Sequence, residues 1–266
     1  MAATACIHLT ARSAPRRIDC STREIASWLW PRLREAFPRA LAAVVMPDHV
    51  HIVTPFADRT LVDLARVLGN CARGPAGVNA LRWMPADAPS RFDDPIKIAR
   101  NVRYVALNPV RAGLVSDPLS WLWSTHRDVV GATVDPWVTE ERLAAALGWS
   151  HRHLAEDWHA YVTKDAGAPP TPPPRAFEAD VGEAPLSWIA TAASSATRSE
   201  LRDISRRSRA RTLFLALSRR AGWRSPSLVA ARCNITERAV RKAWAHPPPA
   251  GLDAALLCLG DSRLRV

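Results

Sequence analysis

Apolar positions along this chain change period several times, and each change marks an element. "AAVVMPDHVHIVTPF", from Ala42 to Phe56, is rich in β-branched residues and predicts a strand. A shorter strand is predicted near "CIHLTAR" and a helix near "REIASWLWPRLREAF", with another helix around Leu61 to Cys71. Ile98, Val102 and Val105 recur at helical spacing and predict a helix from Ile96 to Leu107, which Pro109 should end. From Asp165 to Pro185 the sequence "DAGAPPTPPPRAFEADVGEAP" carries neither period and reads as an extended, proline-rich linker. Beyond it, Leu213, Phe214 and Leu217 return to helical spacing, followed by "SPSLVAARCNITERAVRKAW". Ser225 can cap a helix that begins at Pro226, and Thr236 can cap a second, leaving a turn at Asn234 and Ile235. A helix-turn-helix needs a small residue in its first helix, a residue tolerant of positive φ at the turn, and an apolar residue that holds the second helix back. Ala230, Asn234 and Val240 supply these in order.

The expected organisation is therefore a first domain over residues 1–164, a linker over 165–186, a helical domain over 187–246 and a tail over 247–266. Charge sharpens the division. The whole chain carries +11 at neutral pH over 266 residues, with a pI near 10.6. Between Thr197 and Trp244 there are 13 Arg and Lys against three acids, a net +10. Such a segment is either a solvated basic face or a surface for a polyanion, nucleic acid first. The second helix of the pair would present Arg238, Arg241 and Lys242 outward, as a helix entering a major groove must. No signal peptide and no apolar run of membrane-spanning length is present, so the expectation is a soluble, cytoplasmic protein without a membrane partner. The five cysteines are scattered without a C-x-x-C pair, which argues for reduced thiols rather than disulfides or a thiolate zinc site.

Candidate chemistry lies in the first domain. His49 and His51 are two apart on a strand and share one face, where two imidazoles can chelate a divalent cation or stand satisfied within the sheet. Tyr104 and Asn108 are four apart on the predicted helix, among Arg100, Arg103 and Arg111. A tyrosine with basic neighbours and a metal partner can attack a phosphodiester; the bland alternative is a partly buried tyrosine beside solvated arginines. Trp121 and Trp123 in "WLWSTH" are either base-stacking platforms or core. His151 and His153 repeat the H-x-H spacing in a polar helical context and read as surface.

These blocks resemble a family. "MPDHVHIV" is similar to the H-hydrophobic-H (HUH) signature of single-tyrosine DNA transposases, and "YVALNPVRAGLV" followed by "WLWSTHRD" resembles the tyrosine helix and downstream block of the REP-associated tyrosine transposases. "WVTEERLAAALGWSHRHLAEDWHAYVTKD" resembles the helical end of that domain, so the similarity spans about residues 5 to 164. The resemblance implies an α+β chain: a ferredoxin-like domain with a central antiparallel sheet, the histidines on a strand and the tyrosine on a facing helix. A small all-α helix-turn-helix domain follows it. It further implies Mg²⁺ or Mn²⁺ on His49 and His51 with Asn108 as third ligand, and Tyr104 as the nucleophile that displaces a 3′-hydroxyl and leaves a 5′-phosphotyrosine. Two positions depart from the family pattern: Asp48 stands where Asn is usual, and "RGPAGVNALRWMPADAPSRFDDP" replaces an aromatic and arginine block. The expectation is thus a DNA-nicking and joining transposase acting on single-stranded or hairpin DNA, with a homodimer left open. The alternative is a catalytically inactive, transposase-derived DNA-binding protein or regulator. A metal-dependent RNA nuclease has no RNA-binding signature here to support it.

Overall fold

The computed structural model describes residues 5–14, 19–56, 64, 66, 82–85, 90–164, 184–261 and 264. The chain divides into two compact units, Met1–Val129 with Trp137–Pro170, and Val130–Pro136 with Thr171–Val266. The helix expected around Leu61 to Cys71 and the linker core lie outside the described residues, apart from a helical Leu64 and Arg66.

The first unit is α+β. Strand β1 (Cys6–Ala14) is followed by helix α1 (Arg23–Ala36), then β2 (Ala42–Val45) and β3 (His49–Pro55), β4 (Arg82–Pro85) and β5 (Ser90–Phe92). The sheet order is β2-β3-β1-β4, with β5 also paired to β1. Every pairing is antiparallel. Thus β3 lies between β1 and β2, and α1 makes the crossover of a ferredoxin-like split unit. Alternation assigns the two faces. Ile7, Leu9, Ala11, Ala43, Val45, Val50 and Ile52 form one core with Leu29, Trp30 and Leu33 of α1. Cys6, Ala42, Val44 and Val53 face the other way, in a core with Ile98, Val102 and Val105.

Those three residues belong to α2 (Pro95–Arg111), whose start is set by Asp94: its carboxylate accepts from the Ile96 N–H, and Pro95 takes the first helical position. Pro109 does not end this helix. The turn continues because the Ala112 N–H still reaches the Asn108 carbonyl, and Gly113, at φ 70°, closes it. Beyond it, Trp123 is buried against Trp30 and the Trp121 indole N–H donates to the Val45 carbonyl, so both tryptophans are core groups rather than base platforms. Short α3 (His126–Val129), α4 (Glu140–Leu147) and α5 (Leu154–Thr163) complete the unit. His151 and His153 are exposed and paired with Glu141 and Glu156, as a surface position requires.

The second unit is all-α: α6 (Leu186–Thr197), α7 (Arg209–Arg220), α8 (Pro226–Cys233), α9 (Glu237–Trp244) and α10 (Leu252–Leu259). Leu213, Phe214 and Leu217 are buried, as their spacing predicts. At the α8–α9 turn Asn234 takes φ 53°, Ala230 and Val240 are buried, and the Thr236 hydroxyl accepts from the Ala239 N–H. The Trp244 indole N–H donates to the Leu215 carbonyl and fastens α9 to α7. Two features depart from the sequence reading. The expected tail contains α10, whose Ala255, Leu256, Cys258 and Leu259 enter the core. The segment Val130–Pro136 also belongs here: Ala132 and Thr133 are buried, and the Gly131 and Val134 carbonyls accept from Cys258 Sγ and Ser195 Oγ. Gly131 sits at φ 72°, where a Cβ would lie 3.2 Å from the Ala196 carbonyl oxygen, so only glycine fits without strain.

The cysteines at 6, 20, 233 and 258 are buried and form no disulfide. Burial pushes the thiols of Cys6, Cys20 and Cys233 up to about 11, which makes them inert; Cys71 lies outside the described residues. Among the described residues no helix is long and apolar enough to cross a membrane.

Candidate active site

Register brings the chemistry together. On the α2 face of the sheet, Thr10 stands directly opposite His51, Arg12 opposite His49 and His8 opposite Val53. The rings of His49 and His51 lie 4.7 Å apart, centre to centre. Tyr104, from α2, places its ring 5.5 Å from His51 and 5.8 Å from His8, edge-on to both. Tyr104 is 40% exposed while His51 is 5% exposed, so the tyrosine reaches solvent and the imidazole beside it is shielded.

Each histidine has one ring nitrogen held. His49 Nδ1 donates to the Asp48 carboxylate at 2.6 Å, and His51 Nδ1 lies 2.9 Å from Thr10 Oγ1 and 3.1 Å from His8 Nε2. Burial, then the charges of His49, His8 and Arg12, push the His51 pKa down to about 2, so this imidazole is neutral across the working range. Neutral imidazole is the form that binds a cation. Among the described residues, no three His, Cys, Asp or Glu side chains form a group that could hold a metal ion. A cation bound here would therefore take at most two ring nitrogens from the H-x-H pair, and its remaining ligands from amide, water or phosphate oxygens. The Asp48 carboxylate is a strong orienting acceptor for His49.

The other sequence-predicted residues divide. Asn108 is buried one helical turn from Tyr104 on the same helix. Arg111 is exposed and sets its guanidinium 5.0 Å from the Tyr104 ring centre; Arg100 is exposed as well. Arg103, expected among the DNA contacts, is committed elsewhere. It donates to the Val162 and Lys164 carbonyls at the end of α5 and stacks over Tyr161, because α5 ends where its guanidinium can satisfy those acceptors. Arg238, Arg241 and Lys242 are exposed on α9, with Arg241 paired to Glu237 at 2.7 Å. Sequence reasoning missed His8, Thr10 and Arg12. Their signal was present: polar residues at alternate positions of "CIHLTAR" mark one strand face.

A second histidine pair lies apart from this cluster. His126 Nε2 is 3.2 Å from His159 Nδ1 with the rings stacked, and burial pushes the His126 pKa down to about 3. For His51 and His126 alike the folded pKa lies below the unfolded value of 6.5, so their contribution to stability is whole above pH 6.5 and is lost as pH falls toward 2 to 3. Lowering the pH from 7 to 5 should cost about 2 kcal/mol per residue. Urea unfolding at the two pH values checks this, and coincident midpoints would show that both imidazoles protonate freely in the folded protein.

No family model matches this chain, and no curated protein matches it significantly. Among solved structures it is similar to one described as the structure of a REP-associated tyrosine transposase bound to a REP hairpin. That similarity has 21% identity and a TM-score of 0.39, over 48% of this chain and 80% of the other. At that level it decides no chemistry, which rests on the side chains above.

Proposed function

We propose that this chain is a metal-dependent enzyme that nicks and joins single-stranded or hairpin DNA through a 5′-phosphotyrosine, in the manner of the HUH single-tyrosine transposases. The observation that carries this reading is the meeting of Tyr104 with the His49–His51 pair on one face of the sheet. An exposed phenol beside two oriented, partly shielded imidazoles is unusual as mere packing and well suited to phosphoryl transfer. In the reaction a bond forms from Tyr104 Oη to phosphorus, and the bond from phosphorus to the 3′-oxygen breaks, with that oxygen taking up a proton. Attack by a 3′-hydroxyl reverses the exchange and rejoins the strand without ATP. Arg12, paired opposite His49 in the sheet, and Arg111, over the Tyr104 ring, would neutralise the phosphate. His49 and His51, with Asn108 as a third ligand, would hold Mg²⁺ or Mn²⁺, which supplies Lewis-acid polarisation of the scissile phosphate.

The second unit supplies recruitment through α9. Arg238→Ala or Arg241→Ala should weaken duplex binding and reduce the slope of log affinity against log salt by roughly 0.9 per lost phosphate contact. The cleavage rate at saturating DNA should not change. Equal affinity and equal slope for both variants and the parent would remove α9 from the DNA interface.

The direct test is incubation of the protein with labelled hairpin DNA and Mn²⁺, followed by denaturing electrophoresis. A denaturant-stable adduct supports the enzyme. Tight hairpin binding with no adduct at any metal concentration would instead support a DNA-binding regulator built on the same fold.

A further inference from the structure

We propose that Thr10 and His8 act together as positioning residues that fix the tautomer of His51, keeping the proton on Nδ1 and the lone pair on Nε2. The inference deepens the enzyme reading, because with Nδ1 taken by Thr10 and His8 only Nε2 is left to offer a lone pair as a ligand. For His49 the choice of tautomer is simple: an ionised carboxylate only accepts, so Asp48 at 2.6 Å requires a proton on His49 Nδ1. His51 has no carboxylate. Its Nδ1 faces two ambivalent groups, since a threonine hydroxyl and a neutral imidazole nitrogen can each donate or accept.

Their number decides the matter. Thr10 Oγ1 at 2.9 Å and His8 Nε2 at 3.1 Å both crowd the one nitrogen. A single N–H can be shared between two acceptors, whereas one in-plane lone pair satisfies one donor well and leaves the other facing it unbonded. Thr10 is 9% and His51 5% exposed, with the half-buried His8 beside them, so a mismatched contact at this nitrogen is costly, above all for the Thr10 hydroxyl. The arrangement with both partners accepting therefore wins, and it leaves Nε2 as the basic nitrogen. The two imidazoles of the H-x-H pair thus reach the same protonation pattern by different means: His49 through a carboxylate in the adjacent turn, His51 through two residues of β1.

Long-range ¹H–¹⁵N correlation spectra of the metal-free, full-length protein at neutral pH read the tautomer directly. The expected result is a single Nδ1–H pattern for His51. The double variant His8→Phe with Thr10→Val should move His51 toward the Nε2–H form that free imidazole favours in water, and its Mn²⁺ affinity should fall by about 10-fold or more. His8→Gln, whose amide oxygen can still accept, should restore the Nδ1–H pattern when Thr10 is retained. An Nε2–H pattern in the parent protein overturns the proposal without any variant, and so does an unchanged tautomer in a folded double variant. Failure of the enzyme reading looks different: the Nδ1–H pattern persists, while the parent protein binds no Mn²⁺ and forms no adduct.

Discussion

On the proposed mechanism Tyr104→Phe should abolish the covalent protein–DNA adduct and lower cleavage by on the order of 10⁴-fold or more, because it deletes the one oxygen that would form the new bond to phosphorus. DNA binding and stability should survive. The ring still meets His8 and His51 edge-on, and a group 40% exposed loses little when its hydroxyl is removed, within about 0.5 kcal/mol. Peptide mapping of the parent adduct gives a second arm. The chain has two tyrosines, and the other, Tyr161, packs edge-on to Trp149 and tilted against Trp158 beneath the Arg103 guanidinium. An adduct on Tyr161 would overturn the assignment, as would cleavage by the Phe variant at the parent rate.

Removing either histidine should be nearly as damaging to chemistry. His49→Ala and His51→Ala are each expected to lower metal-dependent cleavage at least about 100-fold while hairpin affinity, if held by the basic residues as proposed, changes little. The two variants differ in stability. His51 is buried and satisfies Thr10 and His8, so its loss opens a cavity and strands polar partners, at a cost of about 2 kcal/mol. His49 is half-buried with its carboxylate near solvent, and its loss should cost less. Parent cleavage rates in both variants would take the cation out of the mechanism.

Local signals explain which of these features could be read without coordinates. The histidine strand and the α2 stripe Ile98, Val102 and Val105 were legible because their period is written in consecutive residues. The αL turn at Asn234 was legible because few residue types accept that backbone. What depends on pairing was not. Thr10 meets His51 only through the β1–β3 register, a relation 41 residues long that neither segment encodes alone. Arg103 was grouped with Arg100 and Arg111 by proximity in sequence, yet helical rotation sends it to the end of α5 instead. Pro109 was read as a stop because its missing N–H is local, whereas the Ala112 to Asn108 bond beyond it keeps the turn helical. The helix α10 was overlooked because it follows a proline run, not because its apolar spacing is poor.

The segment Val130–Pro136 bears on how such a protein can be inherited. A gene fusion made at the proline-rich junction would deliver the helical unit without Ala132 and Thr133, which are buried in it, and without the carbonyls that receive Cys258 and Ser195. The donor half would in turn keep seven residues whose sequence answers to a core it no longer has. Exchange of the helical unit between lineages therefore requires two coordinated breakpoints rather than one. The pair should descend as a single heritable block, with drift at positions 130–136 tracking the helical unit and not the strand chemistry beside it in the sequence.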